Sequence, residues 1–209
     1  MNYLAIDAST EACSVALQCN DKVFSRYELC PQSHSLRLLP MIDDVLKEAS
    51  CKLSQLDGLI FGQGPGSFTG VRIGIGVAQG LAFSANLKLV GVSTLQTMAQ
   101  LAYINHQQSQ VIAVIDARMS EVYNGYYELD ENNIMQAKIN EAVTPPDKLK
   151  QRLVSIVEQA YGVGTGWDAY VDELTSLKFN NDSPEVLFPE AKAMLAIGIA
   201  AFKRGEGVL

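Results

Sequence analysis

Tyr3-Leu4-Ala5-Ile6-Asp7-Ala8 near one end of the chain and Ile112-Ala113-Val114-Ile115-Asp116-Ala117 near its middle are two versions of one pattern. In each, an apolar run of strand length closes on Ile-Asp-Ala, and an echo of this kind points to internal duplication. After the first, Cys13–Cys19 and Val23–Leu29 read as strands joined by the turn Asn20-Asp21, which suits a hairpin. The period then changes: Leu36, Leu39, Ile42, Val45, Leu46 and Ala49 recur at helical spacing, predicting a helix from His34 to about Ser50 with Ser33 as its N-cap. Leu56–Phe61 is the next strand, followed by the glycine-rich segment Gly62–Gly70, a helix over Val71–Ala85 and a strand over Leu87–Val90. Ser93 or Thr94 starts a third helix reaching about His106.

The second copy is followed by two more strand-like runs, Glu121–Leu129 and Ile134–Ile139. Thr144-Pro145 then opens a helix to about Leu153, and Pro189–Lys203 reads as a final helix. The expectation is an α/β protein of two related halves with β-β-β-α-β-α order. The join falls in the polar stretch after His106, giving residues 1–106 and a shorter, less regular 107–209.

Composition narrows the function classes. Apolar residues form 48% of the 209 residues and charged residues 19%, enough to bury a core and too apolar for a disordered chain. The net charge of -7 and the lack of any Lys/Arg cluster argue against direct capture of a nucleic-acid backbone, so any RNA would be held by a partner. Cys13, Cys19, Cys30 and Cys51 show no CxxC spacing and read as reduced, buried thiols. The start lacks a basic region followed by an apolar core, and Val71–Phe83 is too short and glycine-rich to span a bilayer. A cytoplasmic address without membrane attachment follows as the expectation.

The residues that stand out chemically are few. Gly62-Gln63-Gly64-Pro65-Gly66-Ser67-Phe68-Thr69-Gly70 leads into a helix, and such a loop suits either phosphate or a tight structural turn. It matches neither the Walker A loop nor the dinucleotide fingerprint. Arg72 in the first turn of the helix reads as an anion or partner contact, or as an ordinary surface residue. Asp7 and Asp116 end the two first strands, where a carboxylate either holds a metal phosphate or caps the following turn. Arg118 and Glu121 follow Asp116 as a local polar network. His34 and His106 share no ligand spacing, and Ser67 does not sit in a nucleophile elbow. Gly162-Val163-Gly164-Thr165-Gly166 with Trp167 is a second glycine cluster that a turn before a helix explains equally well.

Leu4-Ala5-Ile6-Asp7-Ala8-Ser9-Thr10, His34-Ser35 leading to Leu39-Pro40, Gly64 through Gly74, and Asp116-Ala117-Arg118 with Glu121-Val122-Tyr123 together resemble the TsaB (YeaZ) family, which serves tRNA threonylcarbamoyladenosine formation. The resemblance implies the actin-like, sugar-kinase and Hsp70 ATPase fold, with two ribonuclease-H-like lobes. It implies a non-catalytic subunit that binds the catalytic paralogue TsaD and the ATPase TsaE, and meets tRNA only through that complex. In TsaD a His-x-x-x-His pair holds a metal; here His34 matches the first histidine, but Leu38 stands at the second, so no metal or cofactor is expected on the isolated chain. ATP or ADP and a metal would belong to the complex.

The implied partner surface is the N-terminal lobe, at His34, Leu36, Leu39, Ile42, Leu46, Arg72, Ile73, Gly74, Val77, Gly80 and Leu81. The same surface would close a homodimer when the partner is absent. Asp7, Ser9, Thr10, Asp116 and Arg118 are the candidate remnants of a nucleotide site, and Gly62, Gly64, Gly66 and Gly70 the structural loop. The rival reading is a nucleotide-dependent phosphotransferase or ATPase with Asp7 and Asp116 around a metal. A peptidase ranks last for want of a nucleophile and base.

Overall fold

The computed structural model describes residues 1–153, 160–174, 177 and 183–209. Its elements begin with β1 (Asn2–Asp7), β2 (Ala12–Cys19), β3 (Lys22–Leu29) and α1 (His34–Glu48). A short 3-10 turn, β4 (Gly58–Gly62), α2 (Phe68–Ala85), β5 (Leu89–Val92) and α3 (Thr94–His106) follow. Next come β6 (Gln110–Arg118), β7 (Glu121–Leu129), β8 (Met135–Thr144) and α4 (Pro146–Leu153). The last are β9 (Tyr161–Val163), α5 (Gly166–Ala169), α6 (Val171–Leu174) and α7 (Ala191–Lys203).

The chain divides into two compact units, Met1–Thr97 with Pro189–Leu209, and Met98–Phe188. The sequence split at 106/107 differs from this division in two ways, the first being that most of α3, residues 98–106, falls in the second unit. The second is that the last helix returns to the first unit, because its small apolar side chains fit that unit's sheet.

In the first unit the strand order is β3-β2-β1-β4-β5, with β1, β2 and β3 antiparallel and β4 and β5 parallel to β1. Asn20 supports the two-residue β2–β3 turn by taking a φ of 55°, which asparagine tolerates. Strand side chains alternate between faces. Leu4, Ile6 and Ala8 join the core under α1 and α2. On the other side Tyr3 stacks on Phe202 of α7 at 5.2 Å between ring centroids. A Cβ on Gly198 of α7 would come 2.5 Å from Ile60, so only glycine allows this approach.

α1 buries His34, Leu38, Met41, Ile42 and Val45, while Leu36 and Leu39 are 73% and 51% exposed. The apolar stripe expected from Leu36 and Leu39 is therefore displaced toward Leu38 and Met41. Ser33 makes no side-chain cap; its carbonyl accepts the Leu36 and Arg37 N–H groups instead. α2 begins three residues before the expected Val71, because the Ser67 hydroxyl accepts the Gly70 N–H. Ser93 caps α3, accepting from the N–H groups of Leu95 and Gln96 at 3.1 and 3.3 Å.

The second unit repeats the first four positions of that sheet in the order β8-β7-β6-β9, with β9 parallel to β6. β8 runs on to Thr144, five residues beyond the expected end at Ile139, by pairing with Val122–Asn124. Ile112, Val114, Val122, Leu149, Leu153 and Trp167 form its core. The Trp167 indole N–H donates to the Val163 carbonyl at 3.0 Å, so this residue is packing rather than surface. Among the described residues no helix is long and apolar enough to cross a membrane.

Candidate functional site

The turn after β1 carries the densest polar network of the first unit. Asp7, Ser9 and Thr10 are all buried. The Ser9 N–H and hydroxyl both donate to the Asp7 carboxylate at 3.0 Å. The Thr94 hydroxyl donates to Ser9 Oγ at 2.9 Å. His34 is buried as well, its Nε2 2.6 Å from the Thr10 carbonyl. Burial pushes the Asp7 carboxyl up to about 6, against the Ser9 hydrogen bonds and the His34 charge that pull it down.

The glycine-rich segment closes over this turn. A Cβ on Gly62 would lie 1.9 Å from Asp7 Oδ2, one on Gly66 2.1 Å from the Ser9 carbonyl oxygen, and one on Gly70 2.1 Å from that of Ala8. Gly64 has a φ of +92°, which favours glycine, and its carbonyl accepts the Thr94 N–H at 2.8 Å. The Ser67 N–H donates to the Ser9 carbonyl at 2.7 Å. The loop is thus a clasp spent on its own backbone. Of the two readings open from sequence, the structural turn is the one these contacts describe.

These residues do not fit a metal-bound nucleotide phosphate at Asp7. Both its oxygens accept from Ser9, Oδ2 stands against the Gly62 backbone, and the residue is 1% exposed. Asp116, in the second unit, is likewise engaged locally. It accepts from the Arg118 N–H at 2.9 Å and the Tyr170 hydroxyl at 3.0 Å, and the Arg118 guanidinium lies 3.5 Å away. The second glycine cluster packs on β6: Gly164 has a φ of +102° and stands against the Val114 carbonyl. Leu38, where the family resemblance places a histidine in the catalytic paralogue, is 1% exposed in the core.

The partner-surface candidates separate into two groups. His34, Ile42 and Gly74 are buried, and Leu46, Ile73, Val77 and Leu81 are partly buried against the core. Leu36, Leu39, Arg72 and Gly80 face outward. On α2 the small residues point both ways. Gly70, Gly74, Ala78 and Ala82 form the buried stripe, whereas Gly76 and Gly80 have nothing within 4 Å of a Cβ position. Sequence reasoning missed Phe68 and Phe83, which are 73% and 93% exposed. Their signal is the helical spacing Phe68, Arg72, Gly76, Gln79, Phe83, which runs along the outer side of α2. Arg72 donates to the Phe68 carbonyl at 3.0 Å and lies 3.3 Å above its ring.

The chain is 46% identical over 208 residues to the tRNA threonylcarbamoyladenosine biosynthesis protein TsaB of Escherichia coli K12, covering 100% of this chain and 90% of that protein. It belongs to the TsaB (YeaZ) family. The crystal structure of YeaZ from Pseudomonas aeruginosa superimposes with a TM-score of 0.87 at 44% identity, over 99% of this chain and 94% of that one. Residues 26–167 also match the family profile described as TsaD, tRNA N6-adenosine threonylcarbamoyltransferase. At the level of fold alone, a candidate N-acetylmannosamine kinase from Listeria monocytogenes matches with a TM-score of 0.52 at 10% identity, over 99% of this chain and 100% of its own. The TsaB family chain is therefore an α/β protein with the fold of that YeaZ structure, a fold that the kinase candidate also resembles.

Proposed function

We propose that this chain is the non-catalytic partner subunit in formation of threonylcarbamoyladenosine at position 37 of tRNA. The full-length match to TsaB carries the reading. Its two units act as ribonuclease-H-like lobes, the first of which docks on the catalytic paralogue TsaD. The outer sides of α1 and α2 supply the docking surface through Leu36, Leu39, Phe68, Gly76, Gly80 and Phe83, large apolar groups beside bare glycine backbone. Without the partner, the same surface closes a homodimer. TsaE joins the assembly, and any ATP or ADP and its metal are held by the partners; the engagement of buried Asp7 by Ser9 supports this. The net charge of -7 supports contact with tRNA through the partners rather than directly.

The test is reconstitution of the modification with TsaD, TsaE and the synthase that supplies threonylcarbamoyl-adenylate, with and without this chain. Modification of tRNA should require the chain; undiminished modification in its absence would overturn the proposal.

A further inference from the structure

A second buried cluster lies in the first unit, beside the clasp around Asp7 and sharing His34 with it. Cys13 in β2, Cys30 just beyond β3 and His34 at the head of α1 each offer a ligand atom, and these atoms lie within 4.8 Å of one another. All three residues are less than 9% exposed, and both thiols are free. Main-chain bonds hold the positions in place. The Cys30 N–H donates to the Glu11 carbonyl and the Ser33 N–H to the Cys30 carbonyl, each at 3.0 Å, which ties the Cys-x-x-x-His turn to the start of β2.

His34 is also oriented from behind. A carbonyl can only accept, so the 2.6 Å contact with Thr10 puts a proton on Nε2, and whenever the ring is neutral its lone pair lies on Nδ1. Metal-ligating histidines are set in this way by an acceptor on the far side of the ring.

We propose that Cys13, Cys30 and His34 form a binding site for a thiophilic cation, with zinc as the fitting type. Two thiolates and an imidazole favour zinc over magnesium or calcium, which take oxygen ligands. Two thiolate charges cancel the charge of a divalent ion, so the occupied site enters the core neutral. Zinc–sulfur bonds of about 2.3 Å and zinc–nitrogen bonds of about 2.0 Å bring tetrahedral ligand atoms roughly 3.5–3.8 Å apart, within reach of small side-chain rotations. Binding forms two zinc–sulfur bonds and one zinc–nitrogen bond, releases both thiol protons to solvent and involves no redox change. A water molecule completes the tetrahedron.

Burial holds the Cys13 thiol protonated, and the neighbouring Cys30, Asp7 and Glu28 act in the same direction. In the metal-free cluster the buried cysteines pack as small apolar side chains. Once bound, the ion would cross-link β2, the β3–α1 turn and α1, fixing the end of the helix that carries Leu36 and Leu39.

The experiment is anaerobic titration of the reduced, chelator-stripped full chain with cobalt(II), then zinc. The expected result is a thiolate-to-cobalt charge-transfer band with tetrahedral d–d bands, saturating at one ion per chain and abolished by zinc. The band should vanish in Cys13→Ser and Cys30→Ser and survive in Cys19→Ser and Cys51→Ser. If the first two variants do not fold, alkylation of the native chain decides: zinc should protect Cys13 and Cys30 and leave Cys19 and Cys51 as reactive as before. Absence of the band, or protection of the other two cysteines, would overturn the site.

Discussion

The Asp7 carboxylate stands so close to the Gly62 backbone that a methyl group there would lie 1.9 Å from Oδ2. Because both Asp7 oxygens are also held by the Ser9 hydroxyl, the carboxylate cannot simply swing away. Gly62→Ala should therefore destabilise the protein by about 1–3 kcal/mol through overpacking. Gly76→Ala meets nothing within 4 Å and should stabilise α2 by about 0.5–1 kcal/mol. Urea unfolding of the two variants checks both signs.

Asp7 also sets a pH dependence. The folded carboxyl keeps its proton until about pH 6, whereas the unfolded chain releases it near 3.8. Between these values the folded state binds more protons, so stability falls as pH rises, by about 3 kcal/mol across the window. Asp7→Asn cannot ionise and should lack this decline. Parallel denaturation curves of the wild type and Asp7→Asn from pH 4 to 7 should diverge at the upper end.

Much of this fold is legible in the sequence, because the echo of Ile6-Asp7-Ala8 in Ile115-Asp116-Ala117 marks equivalent strands of two sheets. The role of the glycine loop is not legible, since Gly62, Gly66 and Gly70 are set by how close Asp7, Ser9 and Ala8 come across the sheet. The return of α7 to the first unit is a matter of topology that no local period encodes. Leu36 and Leu39 fit a helical stripe as well as Leu38 and Met41 do, and only packing against β2 chooses between them. Cys13 and Cys30 have no diagnostic spacing because antiparallel pairing, rather than a short motif, brings them together.

α7 should prove integral to the first unit. Gly198→Ala would press on Ile60 Cδ1 and Cγ1 at 2.5 Å and should cost about 1–3 kcal/mol. Ile60→Ala alone should cost about 2–5 kcal/mol. The double variant should be more stable than the sum predicts by about 1 kcal/mol or more, since the new methyl enters the space vacated. Additive losses in this double-mutant cycle would show that the contact does not couple the two residues.

Surface and core can be separated on one helix. Leu36→Asp should change stability by less than about 0.5 kcal/mol, as an exposed substitution. Ile42 is 3% exposed, so Ile42→Ala should cost about 2–5 kcal/mol. Phe83→Asp on α2 should behave like Leu36→Asp in unfolding, and both should weaken association with TsaD at least tenfold, as measured by calorimetry.

The docking role is tested most directly by light-scattering chromatography of this chain alone and mixed with its TsaD paralogue. The account predicts a homodimer that gives way to a defined mixed complex, and loss of that complex for Phe83→Asp. A chain that ignores TsaD at micromolar concentration, with and without nucleotide and TsaE, would contradict it.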